Sequence, residues 1–297
     1  MTLANFTSRV AMIMSAIVIT IMLSGCEQNE NQKSAKKVSD IEPQVSVQLW
    51  SVKDEVKRDF EGTLTILADM GFDGVEFAGE FGEYSDNPEA LKVFLDGLGL
   101  SVSGAHIPFE KLSEQQFADT VAFYQAIGCD SLIVPYDARA FDPQHVKEVV
   151  ADLNRLSEKL APQGMKIGYH NHEKEFDDYE QSTYWDYIAQ NTHENVILQQ
   201  DVGWTTYAGK DPIEYVKRYP GRTFTTHYKV KLPDDAEGKL PLIGQDTIDW
   251  PNLIEANMTV GGTRWLVVEQ EEYPNDLKPL EAVKISKQGL AEFLDAR

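Results

Sequence analysis

The sequence predicts a closed (β/α)₈ barrel, an α/β fold in a single domain, and three observations support this. Short apolar runs alternate with longer amphipathic segments from residue 45 to residue 297, as expected for parallel strands covered by helices. Eight such pairs fit into about 250 residues, a typical length for this fold. No glycine-rich nucleotide loop follows the first strand, so a doubly wound open sheet is the second choice.

Each strand–helix pair is recognised by a change in hydrophobic period, from two residues to about 3.6. The predicted strands cover residues 45–50, 74–78, 101–107, 131–136, 166–172, 195–201, 223–231 and 265–271. The helices that follow them are expected near residues 59–70, 88–98, 113–127, 143–161, 182–190, 211–218, 250–257 and 279–294. Gly71, Gly99 and Gly128 come at the ends of the first three helices, where glycine commonly stops a helix.

The segment before the barrel is typical of an export signal. Arg9 precedes an apolar run from Val10 to Leu23, which is too short for a permanent membrane span. The run ends in Leu-Ser-Gly-Cys, which resembles a bacterial lipoprotein signal in which Cys26 is lipidated and becomes the new N-terminus. The alternatives are an uncleaved N-terminal anchor and an ordinary secretory signal.

This interpretation divides the chain into a signal peptide (1–25), a lipidated cysteine with a flexible tether (26–44) and the barrel (45–297). The tether is polar and charged, so it cannot bury a core. We expect a protein of the bacterial cell envelope that faces the periplasm and is held at the membrane by lipid on Cys26. Cys129 then has no partner for a disulfide, and we expect it to be a small buried hydrophobe.

The formal net charge of −21 limits the partners. Nucleic-acid binding depends on an excess of Lys and Arg at phosphates, and this chain lacks that excess. The same charge argues against a polyanionic substrate unless a metal neutralises it. We therefore expect a small sugar as substrate and no nucleic-acid partner, while the oligomeric state stays open.

Polar side chains gather at the predicted carboxyl ends of the strands, where (β/α)₈ enzymes carry their active sites. They are Glu76, His106, His170, His172, Asp201, His227 and Glu269. A mixed set of two His, one Asp and one Glu suits Mn²⁺, Zn²⁺, Co²⁺ or Fe²⁺ better than Ca²⁺. We expect one divalent metal ion bound by His170, Asp201, His227 and Glu269, with His172 as the alternative to His170. Each residue taken singly could instead be a hydrogen-bonded plug of the barrel mouth.

Strand alternation adds a candidate cation beside this set. Side chains at positions i and i+2 share a face of a strand, so Lys229 should point the same way as His227, and Glu271 the same way as Glu269. Lys229 could hold a developing oxyanion or donate a proton. Equally, it could form a salt bridge to Glu271.

Seven segments resemble the xylose isomerase-like TIM-barrel proteins, often described as sugar phosphate isomerases/epimerases. They are VSVQLWSVKDEV (45–56), LADMGFDGVEFAG (67–79), IGYHNHEKEF (167–176), QQDVGW (199–204), THYKVK (226–231), IGQDTIDW (243–250) and VVEQEEY (267–273). The resemblance implies one divalent metal held by Glu, Asp, His and Glu from the fifth to eighth strands. Asp201, His227 and Glu269 match the last three, whereas His170 stands where the ketose epimerases of the family carry Glu.

That departure puts a symmetrical epimerisation between two glutamates in doubt. The YHNH type resembles members that include dehydratases and lyases acting on oxidised sugars. The family also contains DNA-repair endonucleases, but the net charge and the export signal oppose that branch. Export also argues against a phosphorylated substrate.

The leading expectation is a metal-dependent isomerase or epimerase that removes a proton next to the carbonyl of a non-phosphorylated sugar or keto-sugar. Glu269 is the first choice as base and His172 the second, with Lys229 as the third catalytic residue. The expected substrate contacts are Glu76, His106, Trp204 and Trp50, and Phe77 and Tyr136 are further candidates for stacking on a sugar. The alternatives are a lyase that cleaves 3-keto-glycosides by β-elimination, a sugar-binding lipoprotein without turnover, and hydrolysis through a metal-bound water.

Overall fold

The apolar runs form short parallel strands that are largely buried on both faces. The computed structural model describes residues 43–233 and 236–297. In this part of the chain the barrel strands are β1 (Gln44–Gln48), β2 (Gly74–Phe77), β3 (Ser101–His106), β4 (Ser131–Val134), β5 (Lys166–His170), β8 (Ile197–Gln199), β9 (Thr225–Tyr228) and β10 (Trp265–Val268). A small antiparallel hairpin after β5 contributes β6 (Asp178–Tyr179) and β7 (Ser182–Thr183).

The α-helices of the described residues lie between and after these strands. They are α1 (Lys53–Arg58), α2 (Phe60–Asp69), α3 (Pro88–Leu98), α4 (Phe117–Ala126), α5 (Val146–Leu160), α6 (Tyr184–Asn191), α7 (Val202–Tyr207), α8 (Pro212–Arg218), α9 (Trp250–Ala256) and α10 (Pro279–Asp295). The longer ones are amphipathic: α5 buries Val146, Val149, Leu153, Leu156 and Leu160, a spacing of three and four residues that makes one apolar stripe. That stripe covers the outer face of β5.

The sheet closes on itself. Its strand order is β8-β5-β4-β3-β2-β1-β10-β9, with parallel pairing between neighbours. The two end strands meet where the backbone N–H of His227 donates to the carbonyl of Gln200 at 2.8 Å, next to a parallel bridge between Asp201 and His227. The predicted (β/α)₈ barrel is therefore confirmed.

Close packing inside the barrel requires a glycine on β5. A Cβ atom added to Gly168 would lie 2.6 Å from Ile133 Cδ1 and 2.8 Å from Ile197 Cβ, both closer than van der Waals contact. Only a residue without a side chain lets β5 approach its two neighbours at this level. His170, two residues further along, pairs in register with Gln199 of β8.

Several strands are shorter than the sequence predicts. β4 ends at Val134 and β10 at Val268, whereas their apolar patterns continue to residues 136 and 271. The extra residues form loops at the barrel mouth. Two short helices, α1 and α7, and the β6–β7 hairpin were not predicted at all.

The prediction of a signal peptide in residues 1–25 and of lipid on Cys26 lies outside the described residues. The predicted tether overlaps the barrel slightly, because β1 already begins at Gln44. Within residues 43–233 and 236–297, no helix is both long and apolar enough to cross a bilayer. Cys129 is buried, as expected, and its pKa is raised mainly by that burial.

Candidate metal centre and active-site pocket

Four side chains from the strand ends come together at one point of the barrel mouth. His170 is the last residue of β5, Asp201 follows β8, His227 lies in β9 and Glu269 follows β10. Each offers a ligand atom, and these four atoms lie within 4.8 Å of one another. All four residues are buried, and His172 is not part of the group.

Asp201 carries the feature that fits this group to a cation. Its Oδ1 atom accepts a hydrogen bond from the backbone N–H of Trp204 at 2.8 Å and so caps the start of α7. Its Oδ2 atom is buried and has no hydrogen-bond partner among the described residues; His170 Nε2 lies 3.7 Å away and Lys229 Nζ 3.6 Å away. Burial raises the pKa of Asp201 to about 7. An uncompensated carboxylate oxygen is costly in such a place, and a bound cation would remove the cost.

His227 is held between two carboxylates. Its Nε2 atom lies 2.5 Å from Glu76 Oε1, and its Nδ1 atom lies 3.0 Å from Glu269 Oε2. Although burial opposes the charged ring, Glu76 and Glu269 raise the pKa of His227 to about 10. If Nδ1 binds a metal, the Nε2–H group still donates to Glu76, which is the arrangement common for metal-binding histidines.

A second set of nitrogen atoms lies beside the first. His106, His170 and His227 also bring ligand atoms within 4.8 Å of one another. This set contains no carboxylate, whereas the first set contributes two. The negative charge of Asp201 and Glu269 makes the four-residue set the better match to a divalent cation. The cluster is therefore compatible with one divalent metal ion.

Lys229 forms the predicted salt bridge to Glu271 and also reaches the metal centre. Its Nζ atom contacts Glu271 Oε2 and lies 3.3 Å from Glu269 Oε2. Burial alone would raise the pKa of Glu269, but the charges of Lys229 and His227 hold that pKa well below its usual range. The Glu269 carboxylate and the Lys229 ammonium group are therefore both ionised at neutral pH.

The centre opens into a cavity of about 550 Å³ at the barrel mouth. The lining residues that carry chemistry are His106, His170, His172, Lys229, Glu269 and Glu271. His172 Nδ1 is buried without a hydrogen-bond partner among the described residues. Burial, with Lys229 nearby, lowers the pKa of His172 to about 4, so its ring is neutral at physiological pH.

The predicted aromatic contacts divide into two groups. Trp50 and Tyr136 line the cavity and are 44% and 55% exposed, so both can meet a ligand. Trp204 lies behind His172, with ring centroids 5.5 Å apart, and is not among the lining residues. Phe77 is fully buried beside Phe81 in the core, so the prediction that it stacks on a sugar is wrong. Glu76 on β2 faces into the barrel, and its neighbour Phe77 must then face the helices.

Glu76 was expected to contact substrate, but the structure places it beneath the cavity. It is fully buried, and its carboxylate is bonded to His227, Gln48 and Gln199. Gln48 and Gln199 were missed by sequence reasoning. Strand alternation could have found them, because Gln48 pairs with Glu76 in register across β1 and β2, and Gln199 pairs with His170 across β5 and β8.

A larger surface depression, of about 710 Å³, surrounds the β6–β7 hairpin and the start of α8. It shares no lining residue with the cavity at the barrel mouth. Its buried acid, Asp186, is fully engaged by neighbouring hydroxyl and guanidinium groups. The chemistry of the barrel mouth has no counterpart there among the described residues.

Comparisons with known proteins agree with the (β/α)₈ fold. Residues 64–296 match the family model described as "Xylose isomerase-like TIM barrel". An inosose dehydratase from Clostridium botulinum is 24% identical over 271 residues, covering 78% of this chain and 89% of the relative. An inosose dehydratase from Lacticaseibacillus casei is 25% identical over 276 residues, covering 80% and 89%.

Among solved structures, a sugar phosphate isomerase/epimerase from Parabacteroides distasonis aligns with a TM-score of 0.71 at 22% identity, covering 86% of this chain and 96% of that one. The probable 3-DHS dehydratase AsbF from Bacillus anthracis aligns with a TM-score of 0.63 at 13% identity, covering 84% and 98%. At these identities the two structures show the shared fold alone. The family match spans most of the sequence, and the chain therefore belongs to the xylose isomerase-like TIM-barrel family.

Proposed function

We propose that this protein is a metal-dependent enzyme that removes a proton next to the carbonyl of a non-phosphorylated keto-sugar and then expels a β-substituent. The observation that carries the proposal is the unpartnered Oδ2 atom of Asp201, inside a His/Asp/His/Glu set that opens into a cavity. A sugar-binding protein without catalytic activity would not need a buried carboxylate oxygen that has no hydrogen-bond partner.

Elimination is favoured over epimerisation because the site does not place one carboxylate base from the fifth strand and one from the eighth on opposite sides of a substrate carbon. Epimerisation by two carboxylates requires one on each side of the sugar carbon. The fifth strand instead provides His170, whose Nδ1 atom is bonded to Gln199 at 3.1 Å and whose Nε2 atom faces Asp201. The names of the dehydratase relatives are consistent with this choice.

His172 is the better-placed base. Glu269 was the first choice from the sequence, but its Oε2 atom already accepts from His227 and Lys229, and it belongs to the metal set. His172 lines the cavity as a neutral, partly exposed ring. Its backbone is fixed because its N–H donates to the buried Glu175 carboxylate at 2.9 Å.

The remaining steps use groups that the cavity already holds. When bound, a divalent cation would stabilise the negative charge that develops on the carbonyl oxygen. His172 takes the proton from the carbon next to the carbonyl, the electron pair forms the C=C bond, and the β-substituent leaves. Lys229, which lines the same cavity, is the proton donor to that oxygen or to the leaving group.

The charge of the cavity argues for a substrate without phosphate. Lys229 is the one Lys or Arg among the described lining residues, and it is already paired with Glu269 and Glu271. A phosphate dianion there would meet two carboxylates and no unpaired cation. A hydroxylated ketone needs only hydrogen-bonding groups and the metal.

Isomerisation or epimerisation is the second candidate. It is favoured by the position of Lys229 beside Glu269, since an ammonium group at that point could return a proton to carbon instead of to a leaving group. The sugar phosphate isomerase/epimerase that shares the fold belongs to this class by name.

The test is to incubate metal-loaded protein with an inosose and with a 3-keto-glucoside in D₂O and to follow the reaction by NMR. Elimination predicts loss of the β-substituent and a new enone. Deuterium in recovered or rearranged sugar, without loss of the substituent, would instead support isomerisation. Binding with neither change would contradict an enzyme.

Localisation in the envelope stays a proposal that rests on the sequence around Cys26. We expect labelled fatty acid to be incorporated by the full chain and not by Cys26→Ser. Cys129→Ala, which changes the other cysteine, is the matched control and should still be labelled. Equal labelling of all three proteins would contradict the proposal that Cys26 carries the lipid anchor.

A further inference from the structure

A row of buried polar groups lies directly beneath the metal centre and determines how its histidines are presented. We propose that Glu76, acting through the amide of Gln199, fixes which ring nitrogen of His170 carries the proton. We also propose that it fixes His227 directly, and His106 both through Gln199 and by its own contact of 3.2 Å with His106 Nε2. Glu76 and Gln199 are thus positioning residues. Only the expected effect on metal affinity rests on the proposed metal centre.

The direction of the hydrogen bonds follows from one unambiguous donor. The backbone N–H of Trp50 donates to Gln48 Oε1 at 3.1 Å, so the Gln48 amide must turn its NH₂ group the other way. That NH₂ group lies 2.7 Å from Glu76 Oε1. Glu76 therefore accepts from Gln48, as an ionised carboxylate must.

The next hydrogen bonds link Glu76 across the barrel to the side-chain amide of Gln199. Glu76 Oε2 lies 2.7 Å from Gln199 Nε2, and that NH₂ group also donates to Thr225 Oγ1 at 3.0 Å. With the nitrogen side fixed, Gln199 Oε1 faces the histidines: it lies 2.7 Å from His106 Nε2 and 3.1 Å from His170 Nδ1. An amide oxygen only accepts, so both of these ring nitrogens must be N–H groups.

The consequence for His170 and His106 is that their other ring nitrogens carry lone pairs. His170 presents Nε2 toward Asp201 Oδ2. His227 keeps its Nε2–H on Glu76, and its Nδ1–H, which donates to Glu269 in the metal-free protein, is the proton that a bound cation would displace. Nε2 of His170 and Nδ1 of His227 are the nitrogens that a cation in the four-residue set would need. His106 lines the cavity, and its Nδ1 lone pair can accept a hydrogen bond from a substrate hydroxyl.

Space for the Glu76 carboxylate is built into β3. A Cβ atom on Gly104 would lie 3.0 Å from Glu76 Oε2, tighter than an ordinary contact. Glu76 itself is fully buried and makes no contact with the cavity. Its place and its partners indicate a role toward the histidines.

The decisive variant is Glu76→Gln, which keeps the size of the side chain and adds a donor. If the new NH₂ group faces Gln199, that amide must flip and donate to His170 Nδ1. If it faces His227, Nε2 of that ring must give up its proton and accept, while Nδ1 keeps its proton. Either way one histidine carries its proton on the nitrogen that the cation would need.

The direct readout is the tautomer of each ring, measured by long-range ¹H–¹⁵N NMR. In metal-free wild type we expect His170 with its proton on Nδ1 and His106 with its proton on Nε2. In Zn²⁺-loaded wild type we expect Nε2–H on His227. In Glu76→Gln, His170 or His227 should change, and Mn²⁺ affinity by titration calorimetry should fall by about 10–100-fold.

Glu175→Gln is the matched control. Glu175 is also buried and accepts from Tyr169 OH at 2.8 Å, but it bonds to none of the three rings. Its change should leave all three tautomers and the Mn²⁺ affinity as in wild type. If Glu76→Gln also leaves them unchanged, the proposal is overturned.

Gln199→Met provides a second test that keeps the proposal falsifiable if Glu76→Gln fails to fold. It removes the link between Glu76 and His170 but leaves the contact of Glu76 with His227. We expect a mixture of tautomers at His170 and an unchanged Nε2–H at His227; a single unchanged tautomer at His170 would refute the proposal. His170 and His106 are read without metal, so a protein that bound no metal would overturn the proposed function and leave this inference testable.

Discussion

Two buried aspartates of this barrel have opposite surroundings. Asp186, in α6, is 1% exposed, and Asp201, after β8, is fully buried. Asp186 accepts hydrogen bonds at both oxygens, from groups that include Ser182, Thr183 and Arg218. Asp201 leaves Oδ2 without a hydrogen-bond partner among the described residues.

This difference in hydrogen bonding distinguishes an aspartate that stabilises the fold from one that can bind a ligand. Asp186 joins the β6–β7 hairpin to α6 and α8, and its partners offset the cost of burying its charge. Asp201 has no such hydrogen bond at Oδ2 among the described residues, with Lys229 Nζ 3.6 Å away, and this oxygen belongs to the group that contains His170, His227 and Glu269. Burial therefore says little about function here, whereas an unsatisfied oxygen at the mouth of the barrel points to a ligand.

The largest effect is expected at His172, the proposed base that lines the cavity. His172→Gln should lower kcat by about 10²–10⁴-fold, because it removes the proposed base, while metal binding is retained. The measurement is the rate of elimination together with metal content. His145→Gln is the matched control, because His145 lies at the start of α5 with a partly exposed side chain bonded to Asp142. Full activity of His172→Gln would remove His172 from the mechanism.

The next largest effect is expected on stability, when each of the two aspartates is replaced by asparagine and the two variants are compared. Asp186→Asn should lower the free energy of unfolding by about 3–5 kcal/mol, because Arg218 and the neighbouring hydroxyls lose a buried ionic partner. Asp201→Asn should leave the stability of metal-free protein unchanged or higher, because the burial of the Asp201 charge costs more than Lys229, 3.6 Å from Oδ2, offsets. Both are measured by urea unfolding without metal. Similar losses in the two variants would break the comparison.

A smaller effect is expected on the pH dependence of the free energy of unfolding. Its sign at Asp186 is opposite to its sign at Asp201. Burial would raise the pKa of Asp186, but hydrogen bonds, with Ser182 and Tyr219 the strongest, lower it to about 2. The stabilisation is present above the unfolded pKa and is lost as the pH falls from about 4 to about 2, amounting to roughly 2 kcal/mol. This part of the acid sensitivity should vanish in Asp186→Asn.

At Asp201 the sign reverses, because the folded pKa is raised above the unfolded value. The folded metal-free protein then binds more protons than the unfolded chain, so this residue lowers stability as the pH rises from about 4 to about 7. Urea unfolding of metal-free wild type and Asp201→Asn across that range tests the sign. A wild type that gained stability relative to the variant over the range would contradict it.

Much of the barrel and of its metal set could be predicted because both depend on strand positions. Alternating apolar runs gave the order of the eight strands, and the His, Asp and Glu residues at their carboxyl ends gave the cluster that the structure brings together. The β6–β7 hairpin was not predicted because a strand of two residues is too short to show an alternation of apolar and polar residues. Helix α7 escaped because its six residues follow β8 without a break.

The polar layer beneath the metal was missed for a different reason. Gln48 and Gln199 are uncharged and bind no metal, so nothing in their chemistry marks them in a sequence. Their importance comes from bonds between distant parts of the chain, such as Gln199 to Glu76. Phe77 was misplaced because Glu76 already occupies the inward face of β2, and the next residue along a strand must point outward.

The central claim, that four side chains hold one divalent ion, is tested most directly by calorimetric titration of metal-free protein with Mn²⁺ or Zn²⁺. We predict one ion per chain for the wild type and for Asp186→Asn, and a loss of most of the affinity in Asp201→Asn. Wild-type protein that binds no ion, or an Asp201→Asn variant that binds as tightly as wild type, would contradict the account.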